Sequence, residues 1–111
     1  MKKVAILNVG RWGMVTRDEY DEISRYLLKD LQQEGLDVVV LTEVPEPLEE
    51  YSSLIFMTRG MLQEAREMKK MFPEKTVILL TGWVEPGDEA EGVVPIWKDG
   101  HHVEKIVPLV Q

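Results

Sequence analysis

Polar and aromatic side chains that could bind an anion follow four of the short apolar runs in this sequence. The candidate ligand-binding residues are Asn8, Arg11, Trp12, Thr58, Arg59, Thr81, Trp83, Lys98 and His101. Arginine and lysine side chains beside glycine amides bind phosphate or carboxylate groups, and tryptophan rings stack on flat rings such as nucleobases. We therefore expect a small anionic ligand, a phosphate or a nucleotide, wherever the fold brings these residues together. The alternative is that Arg11 and Arg59 pair with carboxylates of the chain itself.

Motifs for catalysis, metals and cofactors are missing. His101 and His102 are adjacent, so their side chains point apart on a helix or strand and cannot chelate one ion. The chain contains neither a dinucleotide fingerprint nor a Walker loop, and no serine occupies a nucleophile elbow. We expect no catalytic residue, no metal and no cofactor. General acid or base chemistry at His101 or His102 is the enzymatic alternative.

Composition limits the classes of function. The chain has 111 residues, no cysteine and a net charge of −7, which predicts one domain over residues 1–111 and excludes thiolate chemistry. The acidic balance argues against an extended nucleic-acid surface. No apolar run reaches the length of a membrane span and no secretory signal is visible, so the expectation is a cytoplasmic protein away from the membrane. The single asparagine, the absence of cysteine and the 30% charged residues favour a thermophilic source.

Five apolar runs predict the strands of a sheet. They are Val4–Leu7, Val38–Leu41, Leu54–Met57, Val77–Leu80 and residues 93–97. The first four are continuous, as in strands buried on both faces. Pro95 in the last run cannot donate a ladder hydrogen bond, which predicts an edge strand.

Two helices are predicted between these strands. Apolar residues at helical spacing predict a first helix over residues 17–34, with Thr16 as its N-cap and Gly35 as the left-handed residue that ends it. A second helix is expected over residues 61–72, ending before Pro73.

Two further segments are less regular. The acidic, Gly/Pro-rich stretch 85–92 predicts a solvated loop, rather than a regular helix, between the fourth and fifth strands. At the C-terminus, Val103, Ile106 and Val110 have helical spacing, whereas Asp99-Gly100 is a hairpin signal. We expect a short helix after Asp99, with the hairpin as the alternative.

The alternation of strands and helices predicts an α/β three-layer sandwich of flavodoxin-like type, with a five-stranded, mainly parallel sheet in the order 2-1-3-4-5. In such a fold the ligand edge lies at the carboxyl ends of the strands, where strands 1 and 3 meet. The candidate ligand-binding residues all follow strand ends, so this edge should collect them.

Residues 72–82, Phe-Pro-Glu-Lys-Thr-Val-Ile-Leu-Leu-Thr-Gly, resemble the corresponding stretch of response-regulator receiver domains. Lys98 resembles the lysine that these domains carry near the end of their fifth strand, and residues 26–39 are also receiver-like. Thr81 matches the family's switch Ser/Thr. The alternative is another flavodoxin-like domain that shares only the strand pattern.

The resemblance also implies that this chain lacks the acidic magnesium-binding and phosphorylation site of receivers. Receivers hold magnesium with an acidic pair after their first strand, where this chain has Asn8, Val9 and Gly10, and they phosphorylate an aspartate at the position of Thr58. The resemblance therefore implies a degenerate, phosphorylation-independent, non-enzymatic regulatory or protein-interaction module. Its expected partner is another protein or a second copy of the chain.

Overall fold

A computed structural model describes residues 3–7, 17–41, 49–98 and 100–111. The described elements follow the predicted order. They are β1 (Lys3–Leu7), α1 (Arg17–Gln33), β2 (Asp37–Leu41), β3 (Tyr51–Phe56), a 3₁₀ turn (Arg59–Met61), α2 (Leu62–Met71), β4 (Thr76–Thr81), a second 3₁₀ turn (Ala90–Gly92), β5 (Val94–Trp97) and α3 (His102–Val110).

The sheet has the order β2-β1-β3-β4-β5, and all four strand pairs are parallel. The predicted α/β flavodoxin-like fold is therefore confirmed. The proline-containing strand β5 lies at an edge, as expected of a strand that lacks one amide donor, and Pro95 lies in register with Leu79 of β4.

Alternate strand residues supply two apolar clusters, one on each face of the sheet. On one face Ile6, Ile55 and Ile78 pack in a cluster that also contains residues of α1 and α3. On the other face Leu54 and Leu79 pack in a cluster with residues of α2. Burial on both faces is why the strands read as continuous apolar runs rather than alternating ones.

Helix α1 ends as the sequence predicts. Gly35 has a positive φ of 82°, its N–H donates to the carbonyl of Gln32 at 3.0 Å, and the N–H of Leu36 donates to the carbonyl of Leu31 at 3.4 Å. This pair of hydrogen bonds is a Schellman motif, which satisfies carbonyls at the helix end. The predicted N-cap, Thr16, lies outside the described residues.

The C-terminal segment forms a helix and not a hairpin. Helix α3 buries Ile106 and Val110 in the cluster that also contains Leu27 and Leu31 of α1. Pro108 lies inside the helix and costs one backbone hydrogen bond. Packing against α1 therefore outweighs both the proline and the Asp99-Gly100 turn signal.

A loop of residues 82–93 stands between β4 and β5, where the resemblance places a fourth helix. Its regular structure is the single 3₁₀ turn at Ala90–Gly92, which packs against α2. Gly92 lies so close to Lys69 of α2 that an added Cβ would meet the lysine Cε at 3.0 Å. The expectation of a degenerate fourth helix agrees with this loop.

Candidate functional site

The register of the sheet brings predicted site residues to one edge. Thr58 and Arg59 follow β3, Trp83 follows β4, and Lys98 follows β5, while Thr81 ends β4. The backbone N–H of Lys98 donates to the carbonyl of Thr81 at 2.8 Å, which joins the ends of the last two strands. The predicted residues Asn8, Arg11 and Trp12 lie outside the described residues.

Arg59 is the centre of this edge, and its guanidinium faces Asp88 of the loop. Arg59 Nη1 donates to Asp88 Oδ1 at 2.9 Å, and Nη2 donates to Asp88 Oδ2. Nη2 also donates to the Trp83 carbonyl at 2.7 Å, and the guanidinium carbon lies 4.9 Å from the centre of the Trp83 ring. Glu85 is close as well, with Oε2 3.6 Å from Nη1. Arg59 is thus held by the chain's own groups, the alternative stated from the sequence.

Asp88 corrects the expectation of a fully solvated acidic loop, because its side chain is only 4% exposed. Hydrogen bonds from Arg59, with one of 2.6 Å from the backbone N–H of Glu85, lower the pKa of Asp88 from 3.8 to about 2. Burial acts in the opposite direction and is outweighed. Asp88 is therefore a structural carboxylate that stays ionised.

A tight turn positions Asp88, and the sequence carries its signal. The N–H of Asp88 donates to the carbonyl of Glu85 at 3.1 Å, and Gly87 between them has a φ of 92°. Proline followed by glycine is the pattern of a type II turn, so Pro86-Gly87 could have identified the turn. Nothing in the local sequence identifies Arg59, 29 positions away, as the partner.

Lys98 and Thr81 also bond to the backbone of the chain. Lys98 Nζ donates to the carbonyl of Met57 at 2.8 Å, and burial lowers the pKa of Lys98. The Thr81 hydroxyl is buried, donates to the carbonyl of Trp83 at 2.8 Å and accepts the Trp83 N–H at 3.4 Å. Both side chains therefore brace the strand ends.

Thr58 and His101 lie at the margins of this edge. Thr58 is half-buried, and its carbonyl accepts the N–H of Met61 at 2.9 Å, which closes the 3₁₀ turn. His101 is exposed, with Nδ1 3.6 Å from Oε1 of Glu104. Among the described residues, no three His, Asp or Glu side chains come together in a way that could hold a metal ion.

The amino-terminal edge of the sheet carries a surface cavity that the sequence did not indicate. The cavity measures about 370 Å³. It is lined by Glu49, Tyr51, Ser52, Phe72, Glu74 and Lys75. Lys75 is buried there, and its ammonium donates to the carbonyl of Tyr51 at 2.6 Å and lies 5.5 Å from the centre of the Phe72 ring. A buried lysine is unexpected, and its hydrogen bond to a backbone carbonyl offsets part of the cost of burying the ammonium group.

The fold matches solved structures of response regulators. A response regulator of Burkholderia pseudomallei with a phosphorylated aspartic acid matches with a TM-score of 0.64 and 13% identity, over 100% of this chain and 67% of that one. The response regulator DrrB of Thermotoga maritima matches with a TM-score of 0.63 and 18% identity, over 97% of this chain and 50% of that one. An orphan response regulator of H. pylori matches with a TM-score of 0.63 and 14% identity, over 99% of this chain and 97% of that one.

These likenesses confirm the receiver fold that the sequence resembles. Comparison with protein-family models finds no match, and comparison with curated proteins finds none either. In the part of the chain that the structure describes, no helix is both long enough and apolar enough to cross a membrane.

Proposed function

We propose that this chain is a receiver-like regulatory module that works through protein contacts, without phosphorylation and without catalysis. The observation that carries the proposal is the bonding at the carboxyl edge, where Arg59 is held by Asp88 and Lys98 by the Met57 carbonyl. Groups engaged in this way brace loops, whereas a phosphotransfer pocket needs carboxylates arranged around a metal ion.

The sequence positions that match the receiver motif support the same proposal. Thr58 stands where receivers have their phosphoacceptor aspartate, and Asn8 stands where the acidic pair begins. A hydroxyl at position 58 cannot form the acyl phosphate that a carboxylate nucleophile forms, and an amide at position 8 does not supply the negative charge with which an acidic pair holds Mg²⁺. The partner is another protein or a second copy of the chain.

Phosphotransfer can be tested with acetyl phosphate and Mg²⁺, followed by intact mass spectrometry. We expect no phosphorylated species, because this chain lacks the carboxylates that receivers use to bind Mg²⁺ and to accept the phosphoryl group. A response regulator that keeps its aspartate serves as the positive control under the same conditions. A phosphorylated form of this chain would overturn the phosphorylation-independent part of the proposal.

The contact part of the proposal is tested separately. Light scattering of the purified chain reports a second copy, and affinity capture from cells of the source organism, with identification by mass spectrometry, reports another protein. A strict monomer that captures no specific partner would contradict the module as proposed.

Binding of a small anion at the carboxyl edge is the second candidate function and stays a prediction. Asp88 already neutralises Arg59, so the geometry favours this function less than the first. A thermal-shift screen of phosphates and nucleotides tests it. A ligand that raises the melting temperature of the wild type, but not of Arg59→Ala and Arg11→Ala, would favour the anion site over the protein-contact module.

A further inference from the structure

The cavity at the amino-terminal edge lies between the starts of β3 and β4, beside the end of α2. Tyr51 is the first residue of β3, Lys75 directly precedes β4, and Phe72 directly follows α2. The volume of about 370 Å³ falls in the range of small-molecule sites, which begins at about 300 Å³. Arg59 follows the other end of β3, so the cavity is separate from the bonded groups of the carboxyl edge.

A turn after α2 forms one wall of the cavity. The N–H of Lys75 donates to the carbonyl of Phe72 at 3.0 Å, which closes the turn. Lys69 Nζ donates to the carbonyls of Pro73 and Lys75 at 2.8 Å and 2.7 Å. These bonds hold the turn in place, with Phe72 half-buried and Glu74 exposed.

The start of β3 supplies a second aromatic ring. Tyr51 is buried, and Lys3 Nζ lies 5.5 Å from the centre of its ring. Lys3 Nζ also lies 3.9 Å from Oε2 of Glu50. These two neighbouring charges offset each other, so the local field comes mainly from the charged residues that line the cavity.

Three charged side chains line the cavity, one buried and two exposed. Lys75 is buried, and its ammonium donates to the Tyr51 carbonyl at 2.6 Å. Glu49 and Glu74 are exposed, and within the described parts of the chain neither carboxylate forms an ion pair. Two negative charges and one positive charge leave the lining with a net charge of −1.

We propose that this cavity binds a small primary amine with an aromatic body, a ligand that carries a single positive charge. The ammonium group of the ligand faces Glu49 and Glu74 at the exposed side, because the buried Lys75 ammonium repels it from the interior. The aromatic body contacts the Phe72 ring, since flat apolar groups pack well on aromatic side chains.

The charge of the lining selects this class of ligand over the alternatives. A monoamine brings the charge of the occupied cavity to zero, whereas an anion is repelled by the two exposed carboxylates. A neutral ligand of the same shape leaves both carboxylates without a counter-charge. The amine site goes beyond the proposed function and does not depend on it.

The probe is phenethylamine, titrated into the isotope-labelled full chain and followed by two-dimensional amide NMR spectra. We expect saturable shifts of amides within residues 49–52 and 72–76, with a dissociation constant of roughly 1 mM or tighter. Amides of the loop at residues 82–93 should not move. Phenethyl alcohol, the neutral analogue of the same size, and phenylpropionate, an anion, should each bind at least about fivefold more weakly.

Matched charge variants locate the ammonium group. Glu49→Gln with Glu74→Gln is compared with Glu64→Gln with Glu67→Gln, which makes the same change of net charge at exposed positions of α2. We expect the cavity pair to weaken phenethylamine binding at least about threefold and the control pair to leave it within about 1.5-fold.

A ring variant locates the aromatic body. Phe72→Leu keeps an apolar side chain without the ring and should weaken binding at least about threefold. Tyr26→Leu, at a ring of α1 that is 63% exposed, should leave binding unchanged. Circular dichroism melts establish that each variant folds, and the glutamate variants decide the question if Phe72→Leu does not.

A lysine side chain of a partner protein carries the same ammonium group as a small amine. The amide of acetyl-lysine, blocked at its α-amino group and lacking an aromatic body, is therefore titrated in the same way. We expect it to bind more weakly than phenethylamine. Tighter binding would assign the cavity to a partner's lysine and overturn the small-amine site.

The remaining outcomes are also decisive. Absence of saturable shifts up to about 10 mM phenethylamine, equal binding of phenethyl alcohol, or equal effects of the cavity variants and their controls would each refute the site. The acetyl phosphate assay and the capture of protein partners do not involve this cavity. The amine site can therefore fail while the proposed function stands, and the reverse.

Discussion

The guanidinium of Arg59 and the carboxylate of Asp88 form a two-point salt bridge across 29 positions of sequence. This pair fastens the loop between β4 and β5 to the end of β3, and the carbonyl and ring of Trp83 complete the cage around the guanidinium. The loop between β4 and β5 is thus anchored to the end of β3 by a salt bridge.

Replacing Arg59 with alanine is expected to destabilise the fold. The change leaves the Asp88 carboxylate buried without two of its donors, and loss of a partner at a buried charge is costly. We expect the melting temperature to fall by roughly 5 °C or more, against less than about 2 °C for Arg25→Ala, an exposed arginine of α1. Equal effects in calorimetry would contradict the anchoring role.

The salt bridge also predicts an acid-dependent loss of stability. The pKa of Asp88 is lowered to about 2 in the folded chain, so its stabilising contribution is complete above the ordinary pKa of 3.8 and is lost as the pH falls towards 2. The stability difference between the wild type and Asp88→Asn should be constant above about pH 5 and shrink below about pH 4. Denaturant unfolding at each pH measures it. Asp30→Asn, at an exposed carboxylate of α1, is the control, and a difference that stays constant down to pH 2 would refute the assignment.

Lys98 predicts a gain of stability at alkaline pH. Burial lowers its pKa, so the unfolded chain holds the proton more tightly and stability rises as the pH increases from the folded towards the unfolded pKa. Lys98→Met should remove this rise. The quantity to measure is the difference in the free energy of unfolding between wild type and Lys98→Met at each pH. The pKa of Tyr51 is raised, chiefly by burial, and has the opposite effect, because its contribution is lost as the pH rises. Parallel pH profiles of wild type and Lys98→Met would contradict the prediction.

Gly35 is the glycine whose conformation matters most for α1. Its φ of 82° is unfavourable for a residue with a Cβ, although the space around it is open. Gly35→Ala should lower the free energy of unfolding by about 1 kcal/mol. Gly82→Ala should change it by less than about 0.5 kcal/mol, because Gly82 has no positive φ and no atom within 4 Å of an added Cβ. Denaturant unfolding compares the two, and similar losses would exclude the conformational explanation.

A single substitution in the central strand β3 tests the contribution of the apolar core. Ile55 of β3 is fully buried, so Ile55→Ala should cost roughly 3 kcal/mol through lost burial and the cavity that remains. Tyr26→Ala removes a large side chain that is mostly exposed and should cost less than about 0.5 kcal/mol. If urea unfolding shows that Ile55→Ala lowers the free energy of unfolding by no more than Tyr26→Ala does, Ile55 does not belong to the stabilising core.

The architecture of this protein could be predicted from its amino-acid sequence. Local signals with a short physical range were enough: continuous apolar runs for strands buried on both faces, Gly35 for the end of α1, and Pro95 for an edge strand. The C-terminal helix followed from spacing, although its competition with the Asp99-Gly100 turn was settled by packing of Ile106 and Val110.

Which charged side chains form pairs depends on how distant segments pack. The sequence showed Arg59 at a strand end and Asp88 in an acidic loop, but a salt bridge depends on distances between segments that no local pattern encodes. The same holds for Lys75, which burial places against the Tyr51 carbonyl, and for the exposure of Trp97, which depends on how little of the sheet the loop covers. Secondary structure follows from short-range preferences, whereas charge pairing and surface exposure arise only when distant segments pack together.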